Sequence, residues 1–191
     1  MKQLFTVLCI LAVVSLKAQT LQFKEGDKAP NFTAVMHNGS NMSLKELTKK
    51  GPVVMLFYRG YWCPFCNKQL SNMNDSLPML QAKGATVLAI TPEKYESVDK
   101  TIAKTKVSFD IISDTSNTIL KQYGVNFMVD DKTVEKYKTY GLDFAAINGN
   151  NDNTLPVPAV FIIDKDGKFK YLYFDKNFRK RPSVKELLDV L

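Results

Sequence analysis

Residues 52–58 read "PVVMLFY", an apolar run without a polar break, closed by Gly51 on one side and Arg59 on the other. A run with no alternation fits a strand covered on both faces. Four residues after it the chain reads "CPFC", and a helical pattern begins. Cys66, Leu70, Met73, Leu77 and Leu80 recur at spacings of three and four, so they share one helix face. Pro78 should interrupt that helix and Gly84 should end it. A buried strand feeding at once into a helix that starts at a cysteine pair limits the chain to α/β architectures.

The rest of the sequence agrees. "ATVLAIT" (85–91) and "FDIIS" (109–113) read as further buried strands. Between and after them, "EKYESVDKTIAKTK" and "DTSNTILKQYG" read as helices, the first turning Val98 and Ile102 inward. Strand–helix alternation predicts a parallel sheet with right-handed crossovers. Upstream, "APNFTAV" reads as a short strand and "HNGS" as a turn. "SLKELTKKG" reads as a helix capped by Ser43, with Glu46 at capping-box spacing. Downstream, "PAVFIIDKDGKFKYLYF" reads as a hairpin around "DKDG", and "PSVKELLDVL" as a terminal amphipathic helix. Residues 126–154 break the rhythm. "TVEKYKTYG" allows a helical turn, but the Gly- and Asn-rich stretch after it has no period and reads as an inserted loop on the domain edge.

With 191 residues the chain holds one full domain. Residues 1–18, "MKQLFTVLCILAVVSLKA", have an early lysine, a short apolar run and a small residue before a polar start. That is the layout of a secretory signal peptide, which leaves 19–191 as the mature domain. The expected location is exported: the periplasm or cell envelope, if the source is bacterial. Membrane association is expected only through an uncleaved N-terminus. Loss of the leader removes Lys2 and Lys17, so the net charge falls from +7 to +5. It also removes Cys9 and leaves Cys63 and Cys66 as the whole thiol inventory. The remaining basicity is moderate, and an exported protein rarely meets nucleic acid, so none is expected as a partner. The cluster "KNFRKRPSVK" reads as a solvated face, near anionic lipid if near anything.

Four roles compete for the cysteine pair. A zinc site needs about four ligands, and one C-x-x-C supplies two. The single histidine, His37, falls in a polar turn. A copper carrier meets the same shortage. A structural disulfide across so short a loop gains little stability. Redox chemistry fits the placement better. Cys63 opens a helix, with Pro64 in the first turn where proline is tolerated. Its sulfur therefore faces unpaired N–H groups at the positive end of the helix dipole, which favour a thiolate. Arg59, on the same turn, adds positive field. Cys66 begins the apolar stripe and is expected to be the more buried thiol. Cys63 is thus assigned as nucleophile and Cys66 as resolving thiol. Tyr61 and Trp62 sit on the short link and are expected to form a hydrophobic rim for a partner.

"FYRGYWCPFCNKQL" resembles the active-site segment of thioredoxin-fold proteins, in the peroxiredoxin-like alkyl hydroperoxide reductase/thiol-specific antioxidant (AhpC/TSA) branch. "EGDKAPNFTAVMHNGSNMSLKEL", "ISDTSNTILKQYGV" and "VPAVFIIDKDGK" are similar to that branch's N-terminal extension, aspartate segment and closing hairpin. The resemblance implies a thioredoxin-like α/β fold: a central mixed sheet flanked by helices, with an N-terminal extension and an inserted loop before a cis-proline strand. It implies that Cys63 and Cys66 are the redox pair. It implies a cis bond before Pro158, beside the pair, with the Val157 backbone free to pair with an extended substrate. Trp62 and Pro64 match the W-C-P-x-C motif.

The implied activity is an antioxidant thiol oxidoreductase reducing hydroperoxides or disulfides, without metal or organic cofactor and with a dithiol protein as electron donor. Thioredoxin-like disulfide exchange and a non-catalytic binding module are the alternatives. Two departures bear on the choice. Arg59 and Cys63 stand where the peroxidatic pattern has proline and threonine. Pro158 stands where it has a peroxide-polarising arginine.

Overall fold

The computed structural model describes residues 21–191 apart from Asn38. The leader read at residues 1–18, with Cys9, lies outside the described residues. Strands β1 (Thr33–Val35) and β2 (Asn41–Ser43) form an antiparallel hairpin. Helix α1 (Leu44–Thr48) follows, its Glu46 N–H donating to the Ser43 hydroxyl at 3.2 Å. Then come β3 (Val53–Phe57), α2 (Pro64–Asp75), α3 (Leu77–Ala82), β4 (Thr86–Thr91), α4 (Tyr95–Thr105), β5 (Asp110–Ser113) and α5 (Thr118–Gln122). The chain continues through β6 (Asn126–Met128), α6 (Asp131–Thr139), α7 (Phe144–Asn148), β7 (Thr154–Pro156), β8 (Ala159–Ile163), β9 (Phe169–Phe174) and α8 (Val184–Val190).

The central sheet has the order β5-β4-β3-β8-β9. Strands β3, β4 and β5 are parallel, as the alternation required, and the β8–β9 hairpin adds two antiparallel strands. Strand β3 is central and wholly buried, which is why its sequence is apolar at every position. Its side chains alternate between two cores. Val54 and Leu56 meet Leu70, Met73 and Leu80 from α2 and α3, Val98 from α4 and Leu187 from α8. Val53, Met55 and Phe57 meet Leu120, Tyr123 and Phe161, with Phe32 and Met42 of the N-terminal segment. The long helix read from the cysteine stripe is broken at Ser76, and Pro78 lies in the first turn of α3. The five stripe residues are all buried.

Within 126–154 the helical turn allowed at "TVEKYKTYG" is present as α6, and the stretch after it, read as an inserted loop, is built as well. Strands β6 and β7 pair as a hairpin with Asn126 opposite Pro156. Asp130 caps α6 by accepting the Thr133 N–H, and Asp143 caps α7 by accepting the Ala145 N–H, each at 3.0 Å. Val129, Val134, Phe144 and Leu155 close a small core of their own, against which Trp62 packs. Strands β6 and β7 and helix α7 are too short to display a period, so Asp143 at the cap of α7 was the local signal there.

The expected cis bond is corrected. No peptide bond among the described residues is cis, so Val157–Pro158 is trans. Nor is the Val157 backbone free, because its N–H donates to the Val125 carbonyl at 2.7 Å and extends the pairing that holds the insertion.

Phe161 is fully buried at the centre of one core, with the rings of Phe57, Phe169 and Tyr123 at 5.5–6.0 Å. Phe161→Ala is expected to cost about 3–5 kcal/mol of unfolding free energy. Urea denaturation checks this; a loss under about 1 kcal/mol would mean that the core collapses around the gap.

Candidate active site

The site grows from the end of β3. Gly60 sits at φ +152°, and a Cβ there would stand 2.5 Å from Trp62 Nε1 and 2.8 Å from Glu93 Oε1. Only glycine fits that turn. The turn returns Cys63 N–H to the Gly60 carbonyl at 3.0 Å and leaves Cys63 at the N-cap of α2. Cys66 N–H then donates to Cys63 Sγ at 3.3 Å, so the sulfur occupies the position of a capping oxygen. Pro64 follows at the first helical position, exposed. Cys63 and Cys66 are joined in a disulfide, with Cα atoms 5.3 Å apart. The expected asymmetry of burial is absent: both cysteines have no exposed surface.

The cover comes from two distant segments. Trp62 does not form an open rim. Its ring packs against Tyr137 of α6 and Phe144 of α7, at 5.3 and 5.5 Å. Tyr61 lies under the ammonium groups of Lys100 and Lys104, at 4.9 and 5.0 Å from its ring. On the other side, the link between β9 and α8 folds back as a strap. Its Phe178 stacks on the Arg59 guanidinium at 4.2 Å and approaches Phe65 at 5.9 Å. Arg59 is buried between Phe178 and Trp62, whose ring lies 4.8 Å away.

Arg181 of the same strap was not singled out from the sequence. Its Nη2 donates to Cys66 Sγ at 3.4 Å and its Nε to Gln69 Oε1 at 2.7 Å, while Nη1 donates to the Phe178 and Lys180 carbonyls. The basic cluster read as a solvated face is therefore divided: Lys176, Arg179 and Lys180 are exposed, and Arg181 turns in. Among the described residues neither Arg59 nor Arg181 is paired with a carboxylate. Burial, and then the charge of Arg59, bring Arg181 down to about 10; burial lowers Arg59 too, against a smaller opposing effect of Tyr137.

Pro158 and Val157 are buried. The register sets Ala159 opposite Phe57, so Pro158 falls beside the first residue after β3. Glu93 was read as the start of a polar helix. It instead precedes α4, with no exposed surface. Its Oε1 accepts the Tyr61 N–H at 2.8 Å, and its Oε2 accepts from the Thr101 hydroxyl at 3.3 Å. Burial pushes its carboxyl up to about 7. An acid just past the carboxyl end of a parallel strand was the signal available, since that edge is where α/β sheets place their sites.

A cysteine pair at the start of a helix that follows a central strand, in a sheet closed by an antiparallel hairpin, defines a thioredoxin-like α/β protein. The family model described as AhpC/TSA matches residues 25–172, and the chain belongs to that family. It is 31% identical over 144 residues to the thiol-disulfide oxidoreductase ResA of Bacillus thuringiensis subsp. konkukian, covering 75% of this chain and 65% of that protein. It is 29% identical over 167 residues to the chloroplastic peroxiredoxin Q of Oryza sativa subsp. japonica, covering 87% and 66%. The chain thus spans about two thirds of the length of these relatives. Among solved structures, the peroxidoxin BcpB of Mycobacterium tuberculosis superposes with a TM-score of 0.67 at 19% identity, over 87% of this chain and 95% of that one. A cysteine-to-serine mutant of PrxQ from Xylella fastidiosa does so with 0.67 at 18%, over 87% and 93%. These two share the fold.

Glu93 makes stability depend on pH. Its folded pKa of about 7 lies above the ordinary value of 4.5, so between these values the native state holds a proton that the unfolded chain gives up. Stability therefore falls as pH rises through that window, by about 3 kcal/mol at most. Glu93→Gln keeps an acceptor for Tyr61 N–H and carries no charge. It is expected to flatten the slope and to be the more stable form at pH 8. Urea unfolding at pH 5 and pH 8 checks both; an unchanged slope would move the origin elsewhere.

Proposed function

We propose that the protein is a thiol-dependent oxidoreductase that reduces hydroperoxides through a Cys63–Cys66 dithiol/disulfide cycle. One observation carries the choice of substrate: the sulfurs have no exposed surface, yet hydrogen-bond donors reach both. Cys66 N–H addresses Cys63 Sγ, and Arg181 addresses Cys66 Sγ. Small hydroperoxides need only a narrow path to Cys63, whereas a folded protein's disulfide needs a surface. Membership of the family and the similarity to peroxiredoxin Q support the same reading.

In the reduced enzyme the Cys63 thiolate, stabilised by the start of α2, attacks the outer peroxide oxygen. The O–O bond breaks, the sulfur becomes a sulfenic acid, and an alcohol or water leaves with a proton. The positive charge of buried Arg59 and half-buried Arg181 favours the anions that form. Cys66 then attacks the sulfenic sulfur, the disulfide closes and water departs. A thiol reductant restores the dithiol. No metal or organic cofactor enters this cycle. Arg181 of the strap at Cys66, with Arg59 in the turn after β3 adding its charge nearby, answers the lack of an arginine at Pro158.

A second reading is disulfide exchange with other proteins, favoured by the similarity to ResA. The trans bond before Pro158 and the occupied Val157 N–H weigh against it, since they remove the free strand edge on which an extended substrate would pair. Export is part of the proposal and rests on the leader-like residues 1–18, with the periplasm or cell envelope as destination. No helix among the described residues is long and apolar enough to cross a membrane.

The test mixes reduced protein with hydrogen peroxide, an alkyl hydroperoxide or a disulfide-bonded protein and follows closure of the pair by stopped flow. Peroxide is expected to oxidise it about a hundredfold or more faster than it oxidises free cysteine, the scale of oxyanion-type stabilisation. In Cys66→Ser a sulfenic acid should persist on Cys63, and Cys63→Ser should not react. A peroxide rate equal to that of free cysteine, with rapid closure by the protein disulfide, favours the exchange reading. Silence with every oxidant leaves a binding module.

A further inference from the structure

Beside the disulfide a groove of about 710 Å³ runs between α2 and the strap. Phe65, Lys68 and Gln69 line one wall, and Arg179, Arg181 and Pro182 the other. Asp75 at its end is the only acid in the lining, against three cations. None of the three cations is paired with a carboxylate among the described residues. Arg181 is part of the wall, and its Nη2 lies 3.4 Å from Cys66 Sγ, so Cys66 stands one guanidinium behind the groove.

We propose that this groove binds a small carboxylate-bearing thiol and is the entry through which the oxidised protein is reduced, with Cys66 as the sulfur attacked. The inference rests on the dithiol/disulfide cycle proposed above and adds the reductant's class and side of approach. Charge complementarity selects the carboxylate: a cationic, half-apolar recess favours an amphipathic anion. Size selects a small molecule. The volume falls in the range of small-ligand sites, about 300–1,000 Å³, and the buried sulfur is out of reach of a cysteine on a folded surface. This replaces the dithiol protein expected from the sequence.

Leaving-group chemistry selects Cys66. Attack on a disulfide is faster when the departing thiolate is the better stabilised one. When the incoming thiolate bonds to Cys66 Sγ, the Cys63–Cys66 bond breaks and its electron pair stays on Cys63. That sulfur already accepts the Cys66 N–H at the start of α2. A second thiolate attacks the reductant's sulfur in the mixed disulfide. Cys66 leaves as thiolate, and the two small thiols depart as their disulfide. Two thiols are oxidised, one protein disulfide is reduced, and solvent balances the protons. A carboxylate drawing Arg181 toward the groove also uncovers Cys66.

The experiment reduces oxidised protein with 3-mercaptopropionate, 2-mercaptoethanol and cysteamine, with rates expressed per thiolate. The anionic thiol is expected to be about tenfold faster than the neutral one, the scale of one charge-assisted hydrogen bond, and the cationic one slower still. Added salt should shrink the difference. The double variant Lys68→Ala/Arg179→Ala, changed at two exposed positions outside the reacting groups, should lose most of the preference, while its reduced pair still closes with hydrogen peroxide at the original rate. Alkylation quenching and mass spectrometry should find the mixed disulfide on Cys66. Equal rates for the three thiols, a preference undiminished in the double variant, or an adduct on Cys63 would each overturn the proposal. In those cases peroxide oxidation of the same sample still reports on the cycle itself. A disulfide that none of the three thiols reduces, in a protein whose reduced pair peroxide still closes, would overturn this proposal and leave the cycle standing.

Discussion

The hydrogen bond from Cys66 N–H to Cys63 Sγ joins the fold to the chemistry. It exists because a wholly buried strand ends a few residues earlier and Gly60 permits the chain to fold back under itself. A helix start leaves N–H groups without partners, and here one of them is given to a sulfur. Anything that displaced β3 along the sheet or opened the Gly60 turn would move that sulfur off the helix axis. The two cores on either side of β3 are therefore part of the site, since they fix the point from which the turn departs.

The local half of this arrangement was legible in the sequence. The unbroken apolar run gave β3. The stripe from Cys66 to Leu80 gave the buried face of α2 and α3, and Pro78 gave the break between them. Each signal lies within one element, where periodicity and sterics act directly. The five strands of the central sheet were legible for the same reason, since each carried its own pattern, while the mixed sheet was implied by the family resemblance. The other half was hidden by distance. Arg181 meets Cys66 across 115 residues of chain, and nothing in "KNFRKRPSVK" distinguishes the one arginine that turns in. Glu93 looked like an ordinary helix opener because its burial is set by Tyr61 and Thr101, not by its neighbours in sequence. Expecting Cys66 to be the more buried thiol failed similarly: helix periodicity buries Cys66, but what covers Cys63 is tertiary.

A buried guanidinium, Arg59, and a half-buried one, Arg181, without carboxylate partners are costly to the folded state unless their charge serves something. Aromatic faces recover part of that cost, and Arg59 lies between two of them. Backbone carbonyls recover part for Arg181. A carboxylate partner would lower the cost further, but it would also neutralise the positive field at the sulfurs. The lack of one among the described residues fits a site whose anion arrives with the reaction, as a thiolate or a bound ligand.

The trans bond before Pro158 bears on the same point. With the Val157 N–H committed to Val125, that side of the disulfide belongs to the insertion, and Trp62 is fastened beneath α6 and α7. The opposite side is closed less completely, by a strap whose inner residues, Phe178 and Arg181, flank exposed Arg179 and Lys180. The strap meets the site through the Phe178 ring on Arg59 and Phe65 and through the Arg181 bonds to Gln69 and Cys66, whereas the insertion has a core of its own. The asymmetry gives the two sides different surroundings: the insertion packs Trp62 against its own small core, and the strap places Arg181 between Cys66 and the groove.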